Sequence, residues 1–204
     1  AIRQRADAFV QEKLGGALQI RFTGDYWNVA RGNEVVGRDQ LMSVLGAFAL
    51  LTPLIGMFLR SAKLTLICLP PNIVPLMAAL GLMGFAGYDL RTGTSIILSI
   101  ALGVTVDMTT HFLTRVREEW LLDGDYPLAI RRALLGTGWG IASSTLTLVL
   151  GFLAYLVPPF QSFHDVGVLA GWTFLVALAA NLLLAPALVL YLRPFGEGPR
   201  SAVA

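Results

Sequence analysis

Residues 94–114 read TSIILSIALGVTVDMTTHFLT, an apolar run that contains a single acid, Asp107. A carboxylate inside a lipid bilayer costs about 3 kcal/mol even on lenient insertion scales. A chain that keeps an acid in such a run is expected to use it. Asp107, in the C-terminal part of the run, is therefore the first candidate functional residue.

The composition of the whole chain indicates an integral membrane protein. Hydrophobic residues make up 55% of the sequence and charged residues only 14%. The formal net charge is +2, and the basic residues are scattered, so no nucleic-acid-binding surface is predicted. The single cysteine, Cys68, can form no internal disulfide and is interpreted as a small core residue. No signal peptide is visible after Ala1, and the chain is interpreted as a fragment or a processed product.

Five apolar runs are long enough to cross about 30 Å of hydrocarbon, which takes roughly 20 residues. They cover residues 41–59, 64–87, 94–114, 134–157 and 166–192. The predicted fold class is all-α, with residues 39–192 forming a bundle of five transmembrane helices. Residues 193–204 are predicted to form a cytoplasmic tail.

Two further segments are predicted outside the membrane. Residues 1–38 contain a possible helix at 6–14 and an alternating, strand-like pattern at 17–22, followed by a turn at 23–25. They are interpreted as a short α/β remnant, the tail of an extracytoplasmic (periplasmic) domain. Charged residues followed by Trp120 predict an interfacial amphipathic helix near 115–131.

Basic residues in the short loops predict the orientation through the positive-inside rule. One side of the predicted bundle carries eight: Arg60, Lys63, Arg115, Arg117, Arg131, Arg132, Arg193 and Arg200. The loops on the opposite side carry only Arg91. The sequence therefore predicts that residues 1–38 lie outside, that the C-terminus lies inside, and that Asp107 is nearer the cytoplasmic side.

Small residues and prolines predict how the helices pack. Gly136, Gly140, Ser144 and Gly151 share one face of the fourth predicted helix, and Gly167 and Gly171 begin the fifth. Such faces allow close approach of helix backbones, so bundle packing is the favoured interpretation for these glycines. Three prolines, Pro70, Pro71 and Pro75, predict a kinked or partly unwound start of the second helix.

A polar stripe runs down the third predicted helix at intervals of three and four residues. It consists of Ser99, Gly103, Asp107, Thr110, His111 and Thr114. Ser143, Ser144 and Thr147 form a second patch on the fourth helix, and Asn181 adds an amide in the fifth, so that together they could line a hydrated path. The candidate proton relay consists of Asp107, Thr110, His111, Ser144 and Thr147.

An alternative is that Asp107 is permanently neutral or paired and serves only to lock the packing. No metal site is predicted, because His111 and His164 fall on opposite sides of the membrane and one Asp-His pair offers too few ligands. No cofactor is expected.

Several motifs carry a family resemblance. They are Leu59-Arg60-Ser61, the run LPPNIVPL at 69–76, Gly103-x-x-x-Asp107 with His111, Arg115-Val116-Arg117-Glu118-Glu119, Ser144-x-x-Thr147 with Gly151-Phe152, and Gly167 with Gly171. This pattern resembles the C-terminal half of resistance-nodulation-division (RND) superfamily exporters. The most similar branch exports lipids and includes mycobacterial large membrane proteins, hopanoid transporters and Patched-like proteins.

The resemblance implies that the five helices are helices eight to twelve of a transporter with two repeated halves. It also implies that Asp107 is the relay acid on helix ten and that a partner acid lies in the N-terminal half, which is missing here. Met108 stands where many lipid-exporting members have Tyr or a second acid.

The leading functional prediction is a proton-motive-force-driven RND-type exporter of hydrophobic or lipid-like substrates, represented by its C-terminal half, in the bacterial inner (cytoplasmic) membrane. Two alternatives remain open: a non-transporting structural or accessory membrane subunit of a larger complex, and a sterol-sensing-like protein that binds lipid without pumping. An enzyme is not predicted, since no Ser, His and acid can be assembled on one side of the membrane. The expected partners are membrane lipids and the missing N-terminal half or another membrane subunit, and a homo-oligomer remains open.

Overall fold

A computed structural model describes residues 25–88 and 92–196, and the side chains of residues 39–88 and 93–196. Within these ranges, five helices are long and apolar enough to cross a membrane. In chain order they are α1 (Asp25–Leu59), α2 (Ala62–Ala86), α3 (Thr92–Asp123), α4 (Tyr126–Leu156) and α5 (Gln161–Leu192). The described residues form no strand. The predicted five-helix membrane bundle is therefore confirmed.

The first helix begins earlier in the chain than the predicted first membrane span. α1 begins at Asp25, so residues 25–38, which were assigned to the extracytoplasmic remnant, continue the first helix. No proline interrupts them, and extending a helix that is already nucleated costs little. The helix predicted at 6–14 and the strand predicted at 17–22 lie outside the described residues.

The segment predicted to form an interfacial helix near 115–131 is divided between two helices. α3 continues to Asp123 and α4 begins at Tyr126. Gly124 makes the turn between them at φ 69°, a left-handed conformation that glycine adopts without steric penalty. A 2.5 Å ion pair between Arg132 and Asp123 bridges the turn. The amphipathic pattern therefore belongs to the ends of two consecutive helices.

The three prolines do not unwind α2. The helix is continuous from Ala62 to Ala86 with Pro70, Pro71 and Pro75 inside it. Pro71 and Pro75 are buried against neighbouring helices, and packing of this kind tolerates proline in membrane helices. The expected unwound segment is absent from the described part of α2.

α4 and α5 each contain one π-helical turn, at Leu134–Gly138 and Ala180–Leu184. The two turns contact one another, since a Cβ built on Gly138 would lie 3.8 Å from Cδ2 of Leu182. A π turn accommodates an extra residue and so rotates the helix face that follows it. The face of α4 before its π turn and the face after it consequently point in different directions.

The core of the bundle consists of two apolar clusters, one towards each end. One contains Leu64, Phe112, Val116 and Val189, and the other contains Leu76, Leu98, Leu169 and Phe174. Between them, four helices place buried polar side chains at the same height: Asn72 in α2, Thr105 and Thr109 in α3, Thr145 in α4 and Asn181 in α5. We call these five side chains the polar layer.

Thr109 connects the polar layer across three helices. Its hydroxyl can donate its one proton to Oδ1 of Asn181 at 2.7 Å or to the carbonyl of Thr105 at 2.8 Å, and it lies 3.4 Å from Oδ1 of Asn72. Each amide is oriented by its own Nδ2, which donates to the carbonyl of Cys68 for Asn72 and of Ala177 for Asn181. Lipid offers no replacement partners to such groups. The polar layer thus links α3 to α5 through the Thr109 hydroxyl and brings Asn72 of α2 next to the same hydroxyl, at half the height of the bundle.

α4 and α5 approach most tightly at Gly167. A Cβ at this position would lie 2.9 Å from the carbonyl oxygen of Phe152 and 3.2 Å from Cβ of Tyr155. The predicted packing role of Gly167 is confirmed. Gly171 is less confined, since a Cβ there would lie 3.8 Å from Cδ2 of Leu153.

Replacing Thr109 by Val should destabilise the bundle. The change keeps the side-chain volume but removes the hydroxyl that both amide oxygens face, and a buried acceptor left unsatisfied costs about 1–3 kcal/mol. Thr147→Val is the matched control, because the Thr147 hydroxyl donates to the Ser143 carbonyl on the exposed side of α4. Equilibrium unfolding in detergent measures both. An equal loss in the two variants would contradict a stabilising role for the polar layer.

Replacing Gly167 by Ala should force α4 and α5 apart. Overpacking of this kind costs about 1–3 kcal/mol, and thermal unfolding of the purified protein should show it. Gly84→Ala introduces the same methyl group where nothing lies within 4 Å, and it should be neutral or slightly stabilising because Ala favours helix over Gly. A neutral Gly167→Ala variant would show that this contact is not tight.

Candidate functional site

Asp107 stands midway along α3 and faces away from the core. Its Oδ1 lies 3.4 Å from Nε2 of His111, one turn later, and the two side chains are 73% and 74% exposed respectively. The described helices therefore leave Asp107 uncovered. Thr105 and Thr109 occupy the core face of α3 at this height, and helical periodicity therefore turns Asp107 outward.

Asp107 and His111 line an open groove of about 690 Å³ between α3 and α4. The other lining residues are Gly103, Val104 and Met108 from α3, and Gly136, Thr137, Gly140, Ile141, Ser144 and Leu148 from α4. The missing side chains of two glycines leave room, since a Cβ on Gly103 or Gly140 would meet nothing within 4 Å. The groove is open to the outside of the described bundle.

The small residues of α4 do not pack closely against the other described helices, although their predicted role was in helix packing. A Cβ on Gly140 or Gly151 would meet no described residue within 4 Å, and Gly136 and Ser144 line the groove. The π turn at Leu134–Gly138 rotates this part of α4. The small residues consequently lie on an uncovered face of the bundle.

Three of the five relay candidates come together. Asp107, His111 and Ser144 line the groove, whereas Thr110 and Thr147 do not. Thr110 is half-buried and donates to the carbonyl of its own helix at 2.7 Å. Thr147 is exposed, and its hydroxyl donates to the carbonyl of Ser143 in its own helix at 2.9 Å.

The rest of the predicted hydrated path is divided between two places. Asn181 is fully buried in the polar layer, so it does not share the groove with Asp107. Ser99 is exposed and bonds within α3. Met108 is 6% exposed, and its sulfur lies 3.5 Å from the hydroxyl of Thr145. The side chain that follows Asp107 is therefore directed mainly into the core.

An ion-pair network that sequence reasoning missed lies at one end of the groove. Arg115 pairs with Glu119 at 2.6 Å, and Arg132 lies 3.9 Å from Glu119 and 2.5 Å from Asp123. The Glu119 side chain is only 9% exposed. A Cβ on Gly136 would lie 3.8 Å from Nε of Arg115, so the groove ends at this cation. The spacing of four between Arg115 and Glu119 is the sequence signal that could have revealed the pair.

The groove combines groups that can take up and release protons. Nε2 of His111 and Oδ1 of Asp107 are 3.4 Å apart, so a proton could pass between the two side chains directly or through a water molecule. α4 contributes no charged side chain to the lining of the groove. Along α3, the first charged residue after His111 is Arg115. Among the described residues, no three His, Cys, Asp or Glu side chains are grouped to hold a metal ion.

The chain is similar to several named membrane proteins. It is 25% identical over 201 residues to the hopanoid transporter of Rhodopseudomonas palustris. The aligned region covers 97% of this chain and 23% of that protein. It is 24% identical over 189 residues to the sulfolipid-1 exporter of Mycobacterium tuberculosis, which covers 90% of this chain and 17% of that protein. It is 27% identical over 157 residues to a membrane protein of Methanocaldococcus jannaschii, and the aligned region covers 74% of this chain and 40% of that protein.

The chain thus spans less than half the length of each of these relatives. The MMPL family model matches residues 1–202, almost the entire sequence. The resemblance predicted from the Gly103-x-x-x-Asp107 motif and its neighbours is confirmed at the level of the family: the chain belongs to the MMPL family.

Proposed function

We propose that this chain is the C-terminal transmembrane half of a proton-driven exporter of hydrophobic or lipid-like substrates in the bacterial inner membrane. The observation that carries the proposal is the Asp107–His111 pair, two titratable side chains in contact on an uncovered face of α3. Two relatives are named for lipid cargo, a hopanoid and sulfolipid-1, and both match along nearly the whole of this chain.

The exposure of the pair supports a second body of protein over the groove. Asp107 is midway along a helix that is long enough to span the membrane. An acid facing lipid at that depth would cost about 3 kcal/mol or more, so the groove needs a polar or protein cover. The hopanoid transporter of Rhodopseudomonas palustris is about four times as long as this chain, since a match to 97% of the chain covers only 23% of that protein. The N-terminal half of such a transporter is therefore the proposed cover.

Once covered, the groove would be a partly hydrated cavity between two halves. Protonation of Asp107 removes a charge that is expensive to hold away from water. The protonated form then favours a closed, drier arrangement and the ionised form a hydrated one, so proton binding shifts the population of the two arrangements. His111 contacts the carboxylate of Asp107, and the Ser144 hydroxyl offers a further donor in the same groove.

The polar layer could link the gain or loss of a proton at Asp107 to the rest of the bundle. Thr109 and Asp107 lie two residues apart on opposite faces of the same turn of α3. Thr109 is bonded to α5 and lies next to Asn72 of α2. A displacement of α3 at Asp107 would therefore be passed to α2 and α5, which is the coupling that a rocking transporter requires.

Asp107→Asn in the full-length protein should abolish proton-driven export while leaving folding intact. The amide keeps the shape of the side chain but cannot release a proton. The measurement is substrate efflux from proteoliposomes under an imposed pH gradient, with the size-exclusion profile as the folding check. Asp125→Asn is the matched control, because Asp125 lies in the turn before α4 and makes no side-chain capping bond, and it should export normally. Wild-type export by the Asp107→Asn variant would instead support a packing lock.

We also propose that the end of the bundle containing the α1–α2 and α3–α4 turns faces the cytoplasm. Arg60 and Lys63 lie in or beside the first turn, and Arg131 and Arg132 follow the second. An excess of basic residues in short loops is typical of the cytoplasmic side.

Cysteine labelling tests this orientation with little background. The one native cysteine, Cys68, is buried. A cysteine at Gln161, an exposed residue at the start of α5, should react with an impermeant thiol reagent added to intact cells. A cysteine at Asp125 should react only after permeabilisation. Labelling of position 125 in intact cells would reverse the proposed orientation.

A further inference from the structure

A second groove lies on another side of α4, between the start of α4 and the end of α5. Its volume is about 480 Å³, which is within the usual range for ligand pockets. The lining residues are Pro127, Ile130, Arg131, Leu134 and Leu135 from α4, and Pro186, Ala187 and Leu190 from α5. All of them except Arg131 are apolar. The groove therefore has the character of a hydrocarbon site with one cation.

The charge of Arg131 is unbalanced, in contrast to that of its neighbour. Arg132 pairs with Asp123 and lies near Glu119. Arg131 is exposed and has no acidic partner among the residues that the structure describes. A guanidinium left in this state offers a fork of donors that fits a phosphate group.

A second cation lies at the same end of the two helices. Arg193 ends α5, one turn after Leu190 of the groove. The hydroxyl of Tyr126 donates to the carbonyl of Gly196 at 3.1 Å and accepts from the backbone N–H of Phe195 at 2.9 Å. These bonds hold the segment after Arg193 against the start of α4. Arg131 and Arg193 therefore place two positive charges at this end of α4 and α5.

The shape of the groove also suits a lipid chain. The groove borders both π turns, since Leu134 and Leu135 lie in the first and Pro186 closely follows the second. One side of the groove is left uncovered, since Leu135 is 73% exposed. π turns are frequent at functional sites. In this protein the contact between the two π turns joins α4 and α5 next to the groove.

The depth of Arg131 matches a lipid headgroup. α4 has 31 residues, which at about 1.5 Å per residue makes it longer than the roughly 30 Å of hydrocarbon. Its first turns consequently reach the headgroup region. Arg131 lies little more than one turn after Tyr126, and a long arginine side chain can extend its charge towards the interface.

From these observations we infer that the groove binds a phospholipid with an anionic headgroup. The phosphate lies against Arg131, and one acyl chain follows Leu134, Leu135 and Pro186 towards the π turns. Basic pockets between transmembrane helices recognise anionic headgroups in this way. The site is separate from the Asp107 groove, and it does not depend on proton-driven export.

The test uses the full-length protein purified in detergent, with native mass spectrometry to count retained lipid. Dioleoyl phosphatidylglycerol should be retained in preference to dioleoyl phosphatidylcholine. Arg131→Gln should weaken retention of phosphatidylglycerol about fivefold, the effect of one basic residue near a lipid headgroup. Lys63→Gln removes one positive charge from an exposed site at the same end of the bundle, and it should leave retention unchanged.

A second variant separates binding in the groove from general attraction by charge. Ala187→Trp fills the groove but keeps the charge of Arg131, so it should abolish retention of phosphatidylglycerol. As the folding control, the thermal unfolding midpoint of this variant in phosphatidylcholine should equal that of the wild type. Equal retention of the two lipids, or full retention by Arg131→Gln or Ala187→Trp, would overturn the inference. So would cross-linking that places another protein segment in the groove.

Discussion

The hydrogen bonds of Thr109 are the interaction on which the rest of this structure depends. They lie between two apolar clusters that have no directional preference of their own, because one hydrocarbon surface packs on another with little specificity. A hydroxyl shared with Asn181 and adjacent to Asn72 sets the register of α2, α3 and α5 at one height. With that register set, the core face of α3 is occupied, and Asp107 must lie on the other side.

The five helices could be predicted from the sequence because membrane spans are recognised by length and apolarity, and both can be read directly from runs such as 94–114. The Asp107–His111 contact could also be predicted, since residues four apart share a helix face. The packing around them could not. Periodicity shows that the polar stripe and the glycines of α4 lie together, but it does not show which face meets a neighbour. The π turn at Leu134–Gly138 changes that face, and nothing in the residues of this turn signals it.

The same limit applies to residues 115–131. Charged residues followed by Trp120 are as compatible with one interfacial helix as with the ends of two membrane helices. What distinguishes the two is the left-handed Gly124 together with the Arg132–Asp123 pair, a contact between residues nine apart. The polar layer was missed for a related reason. A single Asn or Thr in an apolar run is ordinary until the alignment of four helices brings several of them to one height.

Gly167 has a consequence for how the molecule can move. Where a backbone carbonyl lies too close for even one methyl group, two helices cannot slide or splay without losing the contact. α4 and α5 are therefore expected to move together, and the hydrogen bond from Thr109 to Asn181 links them to α3. The two contacts together restrict sliding among α3, α4 and α5, and these three helices are therefore expected to keep their relative positions in any movement of the bundle.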